Sequence, residues 1–493
     1  MDLGNNSKSL RPADTSVPSA SDSVEAPSIV EAAVSTVEVV ALTESEAPSE
    51  QQHLAHDKLV MKDNTWRTTV LRHSDPVDGE LMNARLAMRT NTEGSTEWMV
   101  RSPVTLEYRV CECHDVLDPA SDVLIYGHLN DPELLARAQR RLLKRVVVVD
   151  SKVYDLYGER IEAYFAHHSV KTCMLVLASS EVNKNMEMAL KIAEAIHHFG
   201  IDRRLDPVIA IGGGVCMGIV GFAASICCLR TPYIRVPTTL MGYVHASIGT
   251  KTGVNFAGNQ NQLGCNLPAS LAILDRSFLA SLDTRQLVNG ASEVMKMALV
   301  KDSELFDLLR KHGPQLIKHK FQTIPTPTGN GGSYAPCRVL QRVTHAMLEE
   351  AAPNLWEDSL ERLVDFGHVF STELQLQLEL DQLHHEKLFQ GEAIAIDMAF
   401  CTVLASVRGH ISTTERDCIL KVMKHLHLPI FHPRLNEALC EEALYERVKF
   451  SLGQKIPLPT GLGQVRLFND ISAKQIREAL AIWPDLVSEH GVR

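Results

Sequence analysis

Glu293 and Lys296 lie three residues apart within the apolar neighbourhood of Val294, Met295, Met297, Ala298 and Leu299. On a helix that spacing puts both side chains on one face. A pair of this kind is usually a solvated salt bridge, but apolar neighbours imply partial burial, and buried charges need a ligand or ion in place of water. His368, in Asp365-Phe366-Gly367-His368, is a second candidate metal ligand; a histidine beside a glycine also serves as a hydrogen-bonded core residue. Gly212-Gly213-Gly214 follow one apolar run and open another. Their backbone could approach a pyrophosphate at a helix N-terminus, or simply make a tight turn. Met217 occupies the place of the last glycine in a GxGxxG fingerprint. Thr238 and Thr239 after Pro237, with Lys251 and Asn255 further on, add hydroxyls, an ammonium and an amide at strand ends. Such a set suits a phosphorylated polyol, although the threonines alone would also serve as turn hydroxyls.

Short apolar runs position these groups. Residues 146–149, 174–178, 208–211 and 233–236 read as buried strands, and 182–199 has helical spacing closed by Gly200. Strands alternating with helices imply a parallel sheet covered on both faces. Before them, residues 104–110 alternate with period two, and a turn at Asp118-Pro119 followed by a strand at 123–126 would make a leading hairpin. After Asp275, helical patterns dominate at 286–310, 338–350, 357–378, 391–407 and 414–426, with a Pro/Gly-rich loop at 324–336. The expected fold is α/β: an N-terminal parallel-sheet nucleotide-binding domain over 61–275 with its leading hairpin, then an all-helical domain over 276–493 for metal and substrate. Residues 1–60, rich in Ser, Glu, Ala, Val and Pro, are expected to form a disordered extension.

A chain of 493 residues with 45% hydrophobic and 22% charged residues fits two globular domains. The net charge of -11 argues against nucleic acid as a partner. The 11 cysteines contain no CxxC pair and read as reduced thiols of a cytoplasmic protein. No apolar core of a signal peptide occurs in the first residues. The uncharged stretch 208–229 is about long enough to span a bilayer, but its glycine triplet favours a strand and helix, and no membrane association is expected.

Taken together, the segments IAIGGGV, RVPTTL, GTKTGVNF, NGASEVMKMALVKD, DFGHVFS and GEAIAIDMA resemble, in family order, the sugar phosphate cyclases, the family of dehydroquinate synthase. Within it the chain is similar to the 2-epi-5-epi-valiolone synthase branch, and Thr372 stands where dehydroquinate synthases carry a second histidine. The resemblance implies NAD as a resident redox catalyst, held by Asp150, Glu181, Lys184, Gly213, Gly214, Thr238 and Thr239. It implies zinc or another divalent metal on Glu293 and His368, with Gln390 where a third ligand is expected. Lys251, Asn261, Lys296, Arg230 and Arg362 would bind or polarise a small phosphorylated sugar, sedoheptulose 7-phosphate, which loses phosphate as it closes to a cyclitol. A homodimer is implied as well.

Several positions depart from that pattern. Gly218 and His245 replace aspartates, Gln260 replaces a lysine, and Gln390 replaces a zinc-binding histidine. An amide oxygen is a poorer zinc ligand than imidazole, and His384 or His385 could supply the missing nitrogen. Two alternatives stand beside an active cyclase. One is a catalytically impaired NAD-binding homologue with a structural or regulatory role; the other is an NAD(P)- and metal-dependent polyol dehydrogenase.

Overall fold

A computed structural model of the chain describes residues 38–42, 67–74, 81–90, 96–102, 106–325, 332–359, 361–380, 387–451 and 453–489. The chain forms two compact units, Met1–Leu106 and Glu107–Arg493. The first carries an antiparallel sheet of β1 (Glu38–Leu42), β2 (Arg67–Ser74), β3 (Leu81–Thr90) and β4 (Thr96–Arg101), in that order. Most of the expected disordered extension lies outside the described residues. Its segment Glu38–Leu42 is a strand instead, since the valines of EVVAL favour extended backbone and β2 pairs with them.

The second unit is built on a six-stranded sheet in the order β5-β12-β9-β8-β6-β7. Its strands are β5 (Arg109–Cys113), β6 (Lys144–Asp150), β7 (Lys171–Leu177), β8 (Val208–Gly212), β9 (Tyr233–Pro237) and β12 (Leu271–Asp275), all parallel. Between β9 and β12 the chain makes an antiparallel hairpin, β10 (Lys251–Phe256) and β11 (Asn259–Asn266). Strand alternation splits the valines of β6 between two cores. Val147 and Val149 pack with Ile161, Tyr164 and Phe165 of helix α1 (Ser151–His167). Val146 and Val148 pack with Ile192 and Ile196 of α2 (Met186–Phe199) and with Ile219 and Val220 of α3 (Gly214–Ile226). Each such side chain contributes about 1.5–3 kcal/mol of burial. The stretch 208–229 is thus strand β8, a glycine turn and helix α3 of this sandwich.

The leading hairpin does not form. Residues 123–126 are one helical turn, Val123–Tyr126, with Leu124 and Ile125 buried, and the strand before them begins only at Arg109. β5 instead joins the edge of the large sheet, parallel to β12.

Beyond β12 come α4 (Thr284–Val300), α5 (Ser303–Lys318), α6 (Ala335–Ala351), α7 (Ser371–Leu380), α8 (Gln390–Val407), α9 (Thr413–His425), α10 (Glu437–Ser451) and α11 (Ala473–Glu489). A hairpin, Ile456–Gly461 with Gln464–Phe468, is added to this helical half. The single helix expected over 286–310 is two, because Asp302 caps the second by accepting from Leu305 N at 2.9 Å. The helix expected over 357–378 is helical only from Ser371, since the chain turns at 363–365 and Gly367 takes φ +83°. Helix α8 is long and apolar enough to cross a membrane by length and composition, but 78% of it is buried in the protein.

Candidate active site

The sheet changes direction between β6 and β8, since β7 lies on one side of β6 while β8 and β9 lead away on the other. Ligands of open α/β sheets bind at the carboxyl ends of strands at such a point. Asp150 ends β6 and Gly212 ends the neighbouring β8; a Cβ on Gly212 would sit 3.2 Å from that of Asp150. Gly213 and Gly214 then open α3, so its first N–H groups face out from this edge. Thr238 N donates to the Gly212 carbonyl at 3.0 Å. Thr239 lies over Gly213, 3.3 Å from where its Cβ would be. The glycine turn and the two threonines therefore form one rim.

A second part of the rim comes from the turn after β7 and the β10–β11 hairpin. Asn255 donates to the Glu181 carboxylate at 2.9 Å, and its backbone N donates to the Lys184 carbonyl at 2.7 Å. Lys184 Nζ donates to Asn261 Oδ1 at 2.5 Å, and Glu181 is 3.9 Å away. Burial lowers the lysine pKa, and the carboxylate does not fully offset it. Gly218, which stands in place of an aspartate of the family pattern, lies beside this lysine: an added Cβ would be 3.4 Å from Lys184 Cε.

Glu293 sits on α4, whose apolar neighbours are buried against Leu240, Tyr243 and Val244. Helical spacing brings Lys296 Nζ to 2.6 Å from Glu293 Oε2, with the two side chains 1% and 0% exposed. His368, on the turn before α7, places Nε2 3.8 Å from Glu293 Oε1 and 3.5 Å from Lys296 Nζ. Asp397 of α8 fixes that turn, accepting from Phe370 N at 2.6 Å and Ser371 N at 2.9 Å while the Cys401 thiol donates to its other oxygen at 3.2 Å. His245 comes from the other half, on the π-helical segment Gly242–Ala246, with Nδ1 3.3 Å from Glu293 Oε2. Burial alone would raise the Glu293 pKa, but Lys296 and His245 hold it well below the carboxylate range. Burial, reinforced by Lys296, lowers that of His368 and favours neutral imidazole.

Among the described residues, no group of three or more His, Cys, Asp or Glu side chains is gathered as a finished metal site. The donor chemistry nevertheless fits a cation. His245 Nδ1 and both Glu293 oxygens are buried without hydrogen bonds, so their contacts are ion-pair approaches only. Polar atoms left in that condition are rare unless something else occupies them.

A third cluster surrounds Glu357. Thr250 donates to the Leu355 carbonyl at 2.8 Å and Asn266 to that of Trp356 at 3.1 Å, which docks the 354–359 turn onto the hairpin. Glu357 then ion-pairs with both Lys251 and Arg362. Arg362 also reaches Asp365 at 2.6 Å. Sequence reasoning missed Glu357, Asp397 and the contact between His245 and Glu293.

One expected residue falls elsewhere. Arg230 precedes β9 at the amino ends of the strands, exposed and with φ +97°, at the opposite sheet edge from the glycine turn. Its carbonyl accepts from Arg203 Nε at 3.1 Å. Gln390 is exposed at the start of α8, whose next residues are fixed by Asn289 to Gly391 N at 2.7 Å and Arg285 to Glu392 at 2.7 Å. His384 and His385 lie outside the described residues.

This fold and edge define an NAD-type α/β architecture with a helical second half, and comparison with known proteins identifies the family. Residues 174–289 match the 3-dehydroquinate synthase N-terminal family and residues 290–449 the 3-dehydroquinate synthase C-terminal family. The chain belongs to this family, within the sugar phosphate cyclase superfamily. It is 44% identical to a 2-epi-5-epi-valiolone synthase of Actinoplanes sp. over 78% of this chain and 92% of that protein. A demethyl-4-deoxygadusol synthase of Trichormus variabilis is 32% identical over 70% of this chain and 82% of its own length. The structure of 2-epi-5-epi-valiolone synthase from Streptomyces hygroscopicus subsp. jinggangensis, solved with NAD+ and Zn2+ bound, matches with TM-score 0.68 and 41% identity, covering 80% of this chain and all of that one. A probable glycerol dehydrogenase from Sinorhizobium meliloti, at 12% identity and TM-score 0.51, shares the fold alone.

Proposed function

We propose that this protein is a sugar phosphate cyclase that converts a phosphorylated seven-carbon ketose, sedoheptulose 7-phosphate, to a cyclitol with loss of phosphate. The observation that carries the reading is the buried Glu293 flanked by Lys296, His368 and His245, in a chain 44% identical to a 2-epi-5-epi-valiolone synthase. NAD would lie on the rim of Asp150, Gly213, Gly214, Thr238 and Thr239, with Glu181 and Lys184 beside it, and would supply reversible hydride acceptance. A divalent metal on Glu293 and His368 would supply a Lewis acid for substrate hydroxyls.

The chain's own groups do the rest. The first N–H groups of α3 would meet the dinucleotide phosphates. Lys251 and Arg362, already converging on one carboxylate, would hold the substrate phosphate and release it after elimination. Lys296 would orient a substrate hydroxyl and stabilise negative charge on its oxygen, and Asn261 would hydrogen-bond the polyol. The enzyme would act as a homodimer, as the resemblance to its family implies.

The test is phosphate release from sedoheptulose 7-phosphate, followed together with absorbance of NADH. Phosphate release without net NADH is the expected result. Sustained NADH accumulation would replace this reading with a polyol dehydrogenase. NAD binding with neither product would point to an impaired homologue.

A further inference from the structure

We propose that the outer edge of β4 is a self-association surface, on which β4 of a second copy pairs antiparallel about Met99. Both family models match residues of the second unit, 174–289 and 290–449, so this contact is additional to what the family shares and does not rest on the cyclase reading. Among the described residues β4 pairs with β3 alone and is the last strand of its sheet. Such an edge presents a row of backbone N–H and C=O groups that a further strand can satisfy. Edges are commonly blunted by lysine, proline or a bulge. β4 instead carries Trp98 and Val100, 61% and 70% exposed.

The occupant follows from the strand's own sequence, Thr96-Glu97-Trp98-Met99-Val100-Arg101, which is its own complement about Met99. A half-turn about that residue sets Glu97 opposite Arg101 of the second copy and Trp98 opposite its Val100, and both pairs recur across the axis. Moving the register by two residues loses the ion pairs: centred on Trp98 it sets Glu97 against Met99, and centred on Val100 it sets Arg101 against Met99. Within its own sheet Arg101 faces Arg85, a like charge directly opposite, whereas Glu97 faces Arg89 and is ion-paired with it at 2.7 Å. Glu97 of the second copy would set an anion beside the Arg85 and Arg101 pair. On the other face of the sheet, Leu86 lies opposite Val100 and Met88 opposite Trp98. Pairing β4 with itself extends these contacts into two apolar rows across four strands, Leu86-Val100-Trp98-Met88 and its two-fold copy.

The experiment traps the contact by mild oxidation of the full chain carrying Met99→Cys, with the linked peptides mapped by mass spectrometry. A bond between two substituted sulfurs can only join two copies. Residues directly opposite in an antiparallel pair have Cα atoms about 4.5–5.5 Å apart, within reach of a disulfide, so this variant should link. Val100→Cys would place its two Cα atoms roughly 8 Å apart, beyond that reach, and should link at most about a tenth as fast. Adding Arg101→Glu to Met99→Cys should slow linkage about tenfold, because both pairs with Glu97 turn from attraction to repulsion. The same change sets an opposite charge against Arg85, so slower linkage does not reflect a weakened sheet. Adding Glu97→Arg as well should restore the rate to within about threefold. No linkage in Met99→Cys, equal linkage in Val100→Cys, or a rate unmoved by Arg101→Glu would overturn the proposal. Linkage of the substituted sulfur to a different segment of the chain would also overturn it, and would give that segment the edge.

Discussion

Glu357 is ion-paired with Lys251, joining the turn ahead of His368 to the first residue of β10. Arg362 shares the same carboxylate. The internal anion thus occupies the two cations proposed to hold a substrate phosphate, and a phosphate must displace it. Glu357→Gln should therefore strengthen binding of inorganic phosphate by roughly tenfold, or about 1.4 kcal/mol. Titration calorimetry gives the result; weaker binding in the variant would mean that Glu357 holds the cations in place rather than competing for them.

The pair of Glu293 and Lys296 has a different energetic character, since neither side chain reaches water. Removing one member leaves an uncompensated buried charge. Lys296→Met is expected to cost about 3–5 kcal/mol in urea unfolding, and Glu293→Gln added to it should restore part of that loss. A cost near zero would show that the carboxylate is neutralised by another group.

At Gly391 α8 lies directly against α4. A Cβ there would collide with the Asn289 carbonyl oxygen and the Ser292 hydroxyl. Gly391→Ala should lower stability by about 1–3 kcal/mol, because helix termini fixed by hydrogen bonds on both sides cannot move apart freely. Thermal unfolding would reveal it as a clear drop in midpoint.

His128 offers a test of pH dependence away from the site. Burial, with Arg145 adding repulsion, lowers its pKa from 6.5 to about 3. The folded state keeps this ring neutral at pH values where the unfolded chain takes up a proton. Its contribution is therefore complete above pH 6.5 and is lost as pH falls toward 3. Between pH 6.5 and 4.5 the loss should be on the order of 2 kcal/mol, and His128→Gln should remove that slope from urea midpoints. An unchanged slope in the variant would assign the acid sensitivity elsewhere.

Much of this was legible from residues whose signal is local. The valines of β6, the glycine turn after β8 and the three-residue step from Glu293 to Lys296 each obey a short period, and the structure follows it. The misreadings share a cause in longer-range contacts. Residues 123–126 have strand-like side chains, but Arg145 donates to the Ile125 carbonyl at 2.6 Å and Gly127 N closes a helical turn on the Val123 carbonyl at 2.9 Å. Glu357 stands in a polar stretch with no periodic signal, and its importance comes from Lys251, far away in sequence. His245 was visible as a departure, yet its proximity to Glu293 depends on how α4 packs against the segment after β9.

The tether from Asp397 has a consequence for how opening of the helical half can be observed. Cys401 donates its thiol to the same carboxylate and is 0% exposed, so a labelling reagent meets it only when α8 parts from its neighbours. Each such excursion also frees the backbone that carries His368. The rate at which this sulfur is alkylated would thus serve as a clock for how often the proposed metal-binding turn comes loose, read without any ligand present.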